Sequence, residues 1–125
     1  ESHKMDMSFM EFEDNSFDVI WARHVIEHSP FPYLTLLEFN RILKKEGLIY
    51  LEMPEPDSPR VLERWPNHYS ILGKKMWLCL FLKSGFEIKT ATSMSVNLEF
   101  NEINKRMTEK YYVFIIKKVK DELIS

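Results

Sequence analysis

His24-x-x-Glu27-His28 places two imidazoles, which exchange protons near neutral pH, and a carboxylate within one short segment. Two imidazoles four residues apart share one face of a helix, where they could hold a zinc ion while the glutamate activates a bound water. That chemistry needs a helix running through His28. The apolar run Phe17-Asp18-Val19-Ile20-Trp21-Ala22 ends two residues earlier, and Pro30 and Pro32 follow at once. A strand end and a turn are therefore expected here, and no metal site.

The elements around this segment follow from periodicity. The cluster Glu11 to Ser16 has turn chemistry from Asp14 and Asn15. The run after it, Phe17 to Ala22, is rich in β-branched and aromatic residues without polar alternation, which predicts a strand buried on both faces. From Pro32 the pattern is helical, with Leu36, Phe39, Ile42 and Leu43 at three- and four-residue steps, and a stop is expected at Gly47 behind the cationic turn Lys44-Lys45. Leu48 to Met53 reads as a second buried strand ended by Pro54 and Pro56, and Glu55 to Trp65 as a loop.

Gly73 to Lys83 is apolar all round in its second half, which predicts a buried helix capped by Gly85. Phe86 to Thr92 alternates as a strand should, and Tyr111 to Ile116 carries the strongest strand signal. The residues between, Ser93 to Lys110, are expected to form a long loop with a function or a short helix of its own. Strands alternating with helices predict an α/β layered domain with a largely parallel sheet, its last pair closing as an antiparallel hairpin.

Composition narrows the function classes. A chain of 125 residues, 45% hydrophobic and 29% charged, is expected to form a single domain over 1–125. Seventeen Lys plus Arg against nineteen Asp plus Glu leave a net charge of -2, without the basic excess that non-specific nucleic-acid binding uses. Met76 to Leu82, the longest apolar run, is far shorter than a membrane span of roughly 20 residues. The lone Cys79 cannot build a disulfide framework, and the cytoplasm is the expected compartment.

Asp6-Met7, Phe17-Asp18-Val19-Ile20, His24-Val25-Ile26-Glu27-His28 and Arg41-Ile42-Leu43-Lys44-Lys45-Glu46-Gly47 together resemble the C-terminal half of a class I S-adenosylmethionine (SAM) dependent methyltransferase of the type 11 group. Glu46-Gly47 stands where that family usually has Pro-Gly. Lys83 to Ile88 resembles the family's helix-to-strand corner, and Tyr111 to Lys117 its final strand. The resemblance implies a Rossmann-like fold: a partial methyltransferase sheet, mostly parallel, with a final antiparallel strand. It also implies SAM as cofactor. The family's glycine-rich cofactor turn is absent, since Gly47, Gly73 and Gly85 are far apart. The sequence accordingly reads as a truncated methyltransferase domain, beginning near the end of the family's third strand and inactive alone.

Carried over position by position, the resemblance implies that Asp6 accepts a hydrogen bond from the adenine amino group and that the Met7 backbone faces the ring. Ala22, Arg23 and His24, just past a strand's carboxyl end, would line the cofactor crevice. Each has a plainer reading, Asp6 as a turn residue and Arg23 or His24 as helix-entry polar groups. Arg41, in mid-helix, is expected to be structural. Methyl transfer from a sulfonium needs alignment and sometimes removal of a proton, for which His24, Glu27, His28 and Tyr69 are the candidates. The acceptor is expected to be set by Asp57 to Tyr69 and Ser93 to Lys110.

The rival reading is non-catalytic. In the family's sheet order Phe17 to Ala22 pairs with a first strand that this chain lacks, so the strand becomes an exposed apolar edge. An interaction module that forms a homodimer, or binds a partner chain, through Phe17 to Ala22 is the alternative function.

Overall fold

The computed structural model describes residues 10–56, 69–100 and 105–120. Their elements, in chain order, are β1 (Phe17–Arg23), a 3-10 turn (Ile26–His28), α1 (Pro32–Ile42), β2 (Leu43–Pro54), α2 (Lys74–Lys83), β3 (Phe86–Phe100) and β4 (Lys105–Lys118). They form an α/β domain whose four strands lie in the order β1-β2-β4-β3. β1 and β2 are parallel, and β4 runs antiparallel to both β2 and β3. The expected Rossmann-like partial sheet with an antiparallel final strand is what forms.

Every second residue of the inner strands points to one face. Ile49, Leu51 and Met53 of β2 meet Phe114 and Ile116 of β4, and on them pack Leu36 and Phe39 of α1 with Trp77 and Phe81 of α2. Burial of such side chains contributes about 1.5–3 kcal/mol each, so this single two-layer core dominates the stability. No helix among the described residues covers the other face. Val19 and Trp21 remain 57% and 66% exposed there, Leu48 lies open beside them, and Trp21 stacks on Tyr50 with ring centroids 4.0 Å apart. β1 and β2 are thus buried on one face, not on two as their apolar runs predicted. Continuous apolarity reports what a strand can bury, and the second covering layer has to come from elsewhere.

Three further expectations change. α1 ends at Ile42 rather than at Gly47, because Leu43 turns extended and buries its side chain while Glu46 takes a left-handed φ of 71°. Gly47 then returns so close to Leu43 that a Cβ would stand 2.7 Å from the Leu43 Cγ. α2 buries Trp77 and Phe81, an i, i+4 pair, and leaves Met76 and Leu82 exposed, so it is amphipathic rather than apolar all round. The glycine cap is as expected, with Gly85 at φ 93°.

The supposed loop Ser93 to Lys110 is mostly strand. β3 and β4 pair from Phe86↔Lys118 through to Phe100↔Lys105, so the hairpin continues beyond Pro54, where β2 stops pairing with β4. Its sequence alternates as Ser93-Met94-Ser95-Val96-Asn97-Leu98, a period-two pattern hidden by its polar half. No helix among the described residues is long and apolar enough to cross a membrane.

Candidate functional site

Because β1 and β2 are parallel, their carboxyl ends open at the same edge of the sheet, with Arg23 opposite Glu52 in register. Such an edge is where ligands bind in open α/β sheets. His24, the next residue, adopts a left-handed φ of 53°, and its backbone N–H donates to the Glu52 carbonyl at 2.8 Å. That conformation is uncommon outside glycine and costs of order 1–3 kcal/mol, which the surrounding contacts must offset. The chain then enters the 3-10 turn that carries Glu27 and His28. No helix continues through His28, so the i, i+4 zinc geometry does not form.

Glu52 is the hub of the mouth. Its Oε2 accepts from Arg23 Nε at 2.8 Å, and its Oε1 accepts from the Tyr50 hydroxyl. Burial pushes the Glu52 carboxyl up, but the hydrogen bonds from Tyr50 and Arg23, with the Arg23 charge, outweigh burial and hold it below its ordinary value. The hydrogen bond to Glu52, followed by burial and the carboxylate charge, pushes Tyr50 up to about 12.

The His24 imidazole stands between two carboxylates. Its Nε2 lies 3.4 Å from Glu52 Oε2 and its Nδ1 lies 3.6 Å from Glu27 Oε2. Tyr111 of β4 meets the imidazole ring edge-on, with centroids 5.9 Å apart. Glu27 is only 1% exposed, and neither of its carboxylate oxygens has a hydrogen-bond partner among the described residues.

The other candidates fall in several places. Arg23 is exposed at the mouth, while Ala22 is buried in the core beneath it. His28 is half-buried, and its backbone N–H closes the turn onto Val25. The backbone N–H groups of Tyr69 and Ser70 both donate to the Glu27 carbonyl, at 2.9 and 3.0 Å, so this distant segment is tied to the turn while the Tyr69 ring faces solvent. Asp6 and Met7 lie outside the described residues, as does Asp57 to His68 of the expected acceptor segment. Arg41 is a clamp: it bonds Glu38 and Asp14 and the carbonyls of Met10 and Phe12, which fastens the segment before β1 to α1.

Tyr50, Glu52 and Tyr111 were not among the sequence candidates. Glu52 had a readable signal, as the one charged residue in the apolar run Leu48 to Met53. Tyr111 had none, because only the antiparallel pairing of β4 with β2 brings it to this edge.

Residues 1–51 match the methyltransferase domain family. The demethylmenaquinone methyltransferase of Staphylococcus aureus (strain JH9) is 31% identical over 110 residues, which cover 84% of this chain and 44% of that protein. Over the matched residues the chain resembles the class I methyltransferases. It spans less than half the length of this curated relative. Among solved structures, a Bacillus halodurans protein classed as a methyltransferase superposes with a TM-score of 0.79 at 18% identity, over 94% of this chain and 71% of that one. A SAM-dependent methyltransferase of Thermotoga maritima gives 0.68 at 19% identity, over 93% and 63%.

The Thermotoga maritima protein is SAM-dependent, and the residues of this chain fit that cofactor in part. The carboxylates of Glu27 and Glu52 suit a neighbouring cationic group such as a sulfonium. No glycine-lined cradle of backbone N–H groups is assembled, since Gly47 packs against Leu43, Gly73 precedes α2 and Gly85 follows it.

Proposed function

We propose that this protein takes part in methyl transfer from SAM to a small-molecule acceptor, and that the residues here supply the β1–β2 side of the site. The supporting observation is the mouth itself: two parallel strand ends carrying Arg23, His24 and Glu52, with the buried Glu27 behind them. When bound, SAM supplies a methyl group already activated by its sulfonium charge. The chain's own residues have a positioning task. Arg23 and Tyr50 hold Glu52, Glu52 and Glu27 flank His24, and the hairpin of β3 and β4 stands at the same edge of the sheet, where an acceptor would lie.

Lacking a glycine-rich turn, these 125 residues bind SAM weakly and turn over no acceptor by themselves. Demethylmenaquinone, on which the Staphylococcus aureus relative acts, is the first acceptor to try. The cytoplasm is the compartment we assign, consistent with an exposed, unpaired Cys79. Calorimetric titration of the chain with SAM and with its demethylated product is the test. The expected dissociation constant is weaker than about 1 mM, tightening when a segment bearing a glycine-rich turn is supplied in trans. Micromolar binding by the chain alone would refute the incomplete-site part of the reading. No binding in either arrangement would refute SAM dependence.

A second reading rests on β1. An edge strand with an open ladder and Val19 and Trp21 exposed beside it is a surface for strand addition. In this reading the chain is a non-catalytic module that pairs with a second copy or a partner chain. A sedimentation measurement that finds only monomer at high concentration, with no binding partner recovered, would discard it.

A further inference from the structure

At the mouth the helix layer ends in an apolar rim. α1 and α2 pack on the same sheet face, and Asn40 near the end of α1 donates to the Ser84 carbonyl at the end of α2. Their last turns therefore meet at one edge, and their first turns lie at the other, by the carboxyl ends of β1 and β2. There the Lys74 backbone N–H donates to the hydroxyl of Tyr112, which stands opposite Met53 near the end of β2. The entry to α1 and the segment before α2 are tied together as well, because the Ser70 hydroxyl donates to the Ser29 carbonyl.

Large side chains project from both segments. Phe31, Tyr69 and Met76 are each more than half exposed, and Tyr33 and Leu34 stand open in the first turn of α1. Pro30 and Pro32 bracket Phe31 and restrict its backbone, so the ring is presented at little entropic cost. Residues 29–36 and 69–76 contain no acid, and their only charges are Lys74 and Lys75. Both lysines lie in the first turn of α2, where a cation opposes the helix dipole, and neither helix has an acid in its first turn to offset it. A chain of net charge -2 thus concentrates positive charge beside the rim, at a cost to its own helix that an anionic surface would reverse.

We propose that this rim docks on the surface of an anionic phospholipid bilayer. Phe31, Leu34 and Met76 enter the acyl boundary, Tyr33 and Tyr69 lie at headgroup depth with their hydroxyls in water, and Lys74 and Lys75 meet lipid phosphates. Docking of this kind needs no spanning helix, and it turns the β1–β2 mouth toward the lipid. It is independent of SAM binding.

The test is co-sedimentation of the 125-residue chain with vesicles. The chain is expected to bind phosphatidylcholine vesicles that contain phosphatidylglycerol, more weakly as salt rises, and to bind pure phosphatidylcholine at least about tenfold less well. Lys74→Gln combined with Lys75→Gln, and separately Phe31→Ser, are each expected to weaken binding by about tenfold or more. The lysine variant is also expected to melt slightly higher, since it relieves the dipole of α2, so its weaker binding is not the result of unfolding. Leu82→Ser at the far end of α2 and Trp21→Ser on the open sheet face remove comparably exposed apolar groups, and both are expected to bind as the wild-type chain does. Unchanged binding in the rim variants, or equal losses at Leu82 and Trp21, would overturn the proposal. Absence of binding to the anionic vesicles would overturn it too, and would leave the rim to a protein partner.

Discussion

The ammonium of Lys118, at the end of β4, donates to the backbone carbonyl of Asn40 in α1 at 2.7 Å, inside the protein. The same nitrogen donates to the Leu43 carbonyl at 2.8 Å and to Asn15 Oδ1 at 3.0 Å. Helix carbonyls at a C-terminus lack partners within the helix, and here a lysine from the far end of the chain supplies them. Asn40 completes the cluster by donating to the carbonyls of Ser84 and Lys120.

Lys118→Met keeps the aliphatic stem and leaves these acceptors without their donor. The expected cost is about 2–4 kcal/mol, measured as a lower urea midpoint with an unchanged slope. An unaltered midpoint would mean that the carbonyls find water instead.

Gly47 and Gly73 make opposite predictions. Gly47→Ala places a methyl 2.7 Å from both the Leu43 Cγ and the Lys44 carbonyl oxygen, and the buried Leu43 has no room to yield. A destabilisation of about 1–3 kcal/mol is expected. Gly73 has open space at its Cβ position and caps α2 without a side-chain bond, so Gly73→Asp is expected to stabilise by about 0.3 kcal/mol. Thermal melts of the two variants should shift in opposite directions.

The Tyr50–Glu52 pair gives the mouth a pH signature at both ends of the scale. Glu52 titrates below its ordinary 4.5, so its contribution to stability is complete above that pH and is lost as pH falls through the lower folded value. Tyr50 is raised from 10.0 to about 12, so its contribution is complete below pH 10 and is lost as pH rises through 12. Ultraviolet titration should show a tyrosinate step near pH 12 that Tyr50→Phe removes. Burial also raises Tyr112, and the same variant separates the two.

Trp21 reports on the open face. Trp21→Lys on an edge strand is expected to suppress self-association without unfolding the domain, since the ring is 66% exposed and contributes little to the core. Sedimentation velocity over a wide concentration range, beside circular dichroism, measures both. Equal association of the two proteins would remove β1 and its open face as the interface.

Much of the site was readable because its signals are local. The apolar run ending at Ala22 and the prolines at 30 and 32 fix a bend, which the 3-10 turn supplies, and His24 and Glu27 come together beside it. Tyr69 could be named, yet its attachment to the Glu27 carbonyl could not be foreseen, because it joins residues some forty positions apart. Glu52 sat in plain view as a charge within an apolar strand.

By itself, the sequence determined the α/β alternation, the helix from Pro32, the Gly85 cap and the final antiparallel strand, all of which follow from periodicity and residue conformational preference over a few neighbours. Tertiary structure alone decided the rest. It ended α1 early, because Lys118 takes the carbonyls of Asn40 and Leu43 only once β4 is docked. Among the described residues it left one sheet face uncovered, because α1 and α2 pack on the same side. And it set His24 between Glu27 and Glu52, because only the parallel pairing of β1 with β2 brings those two acids to one edge. Each of these depends on contacts between segments distant along the chain, which a local pattern does not encode.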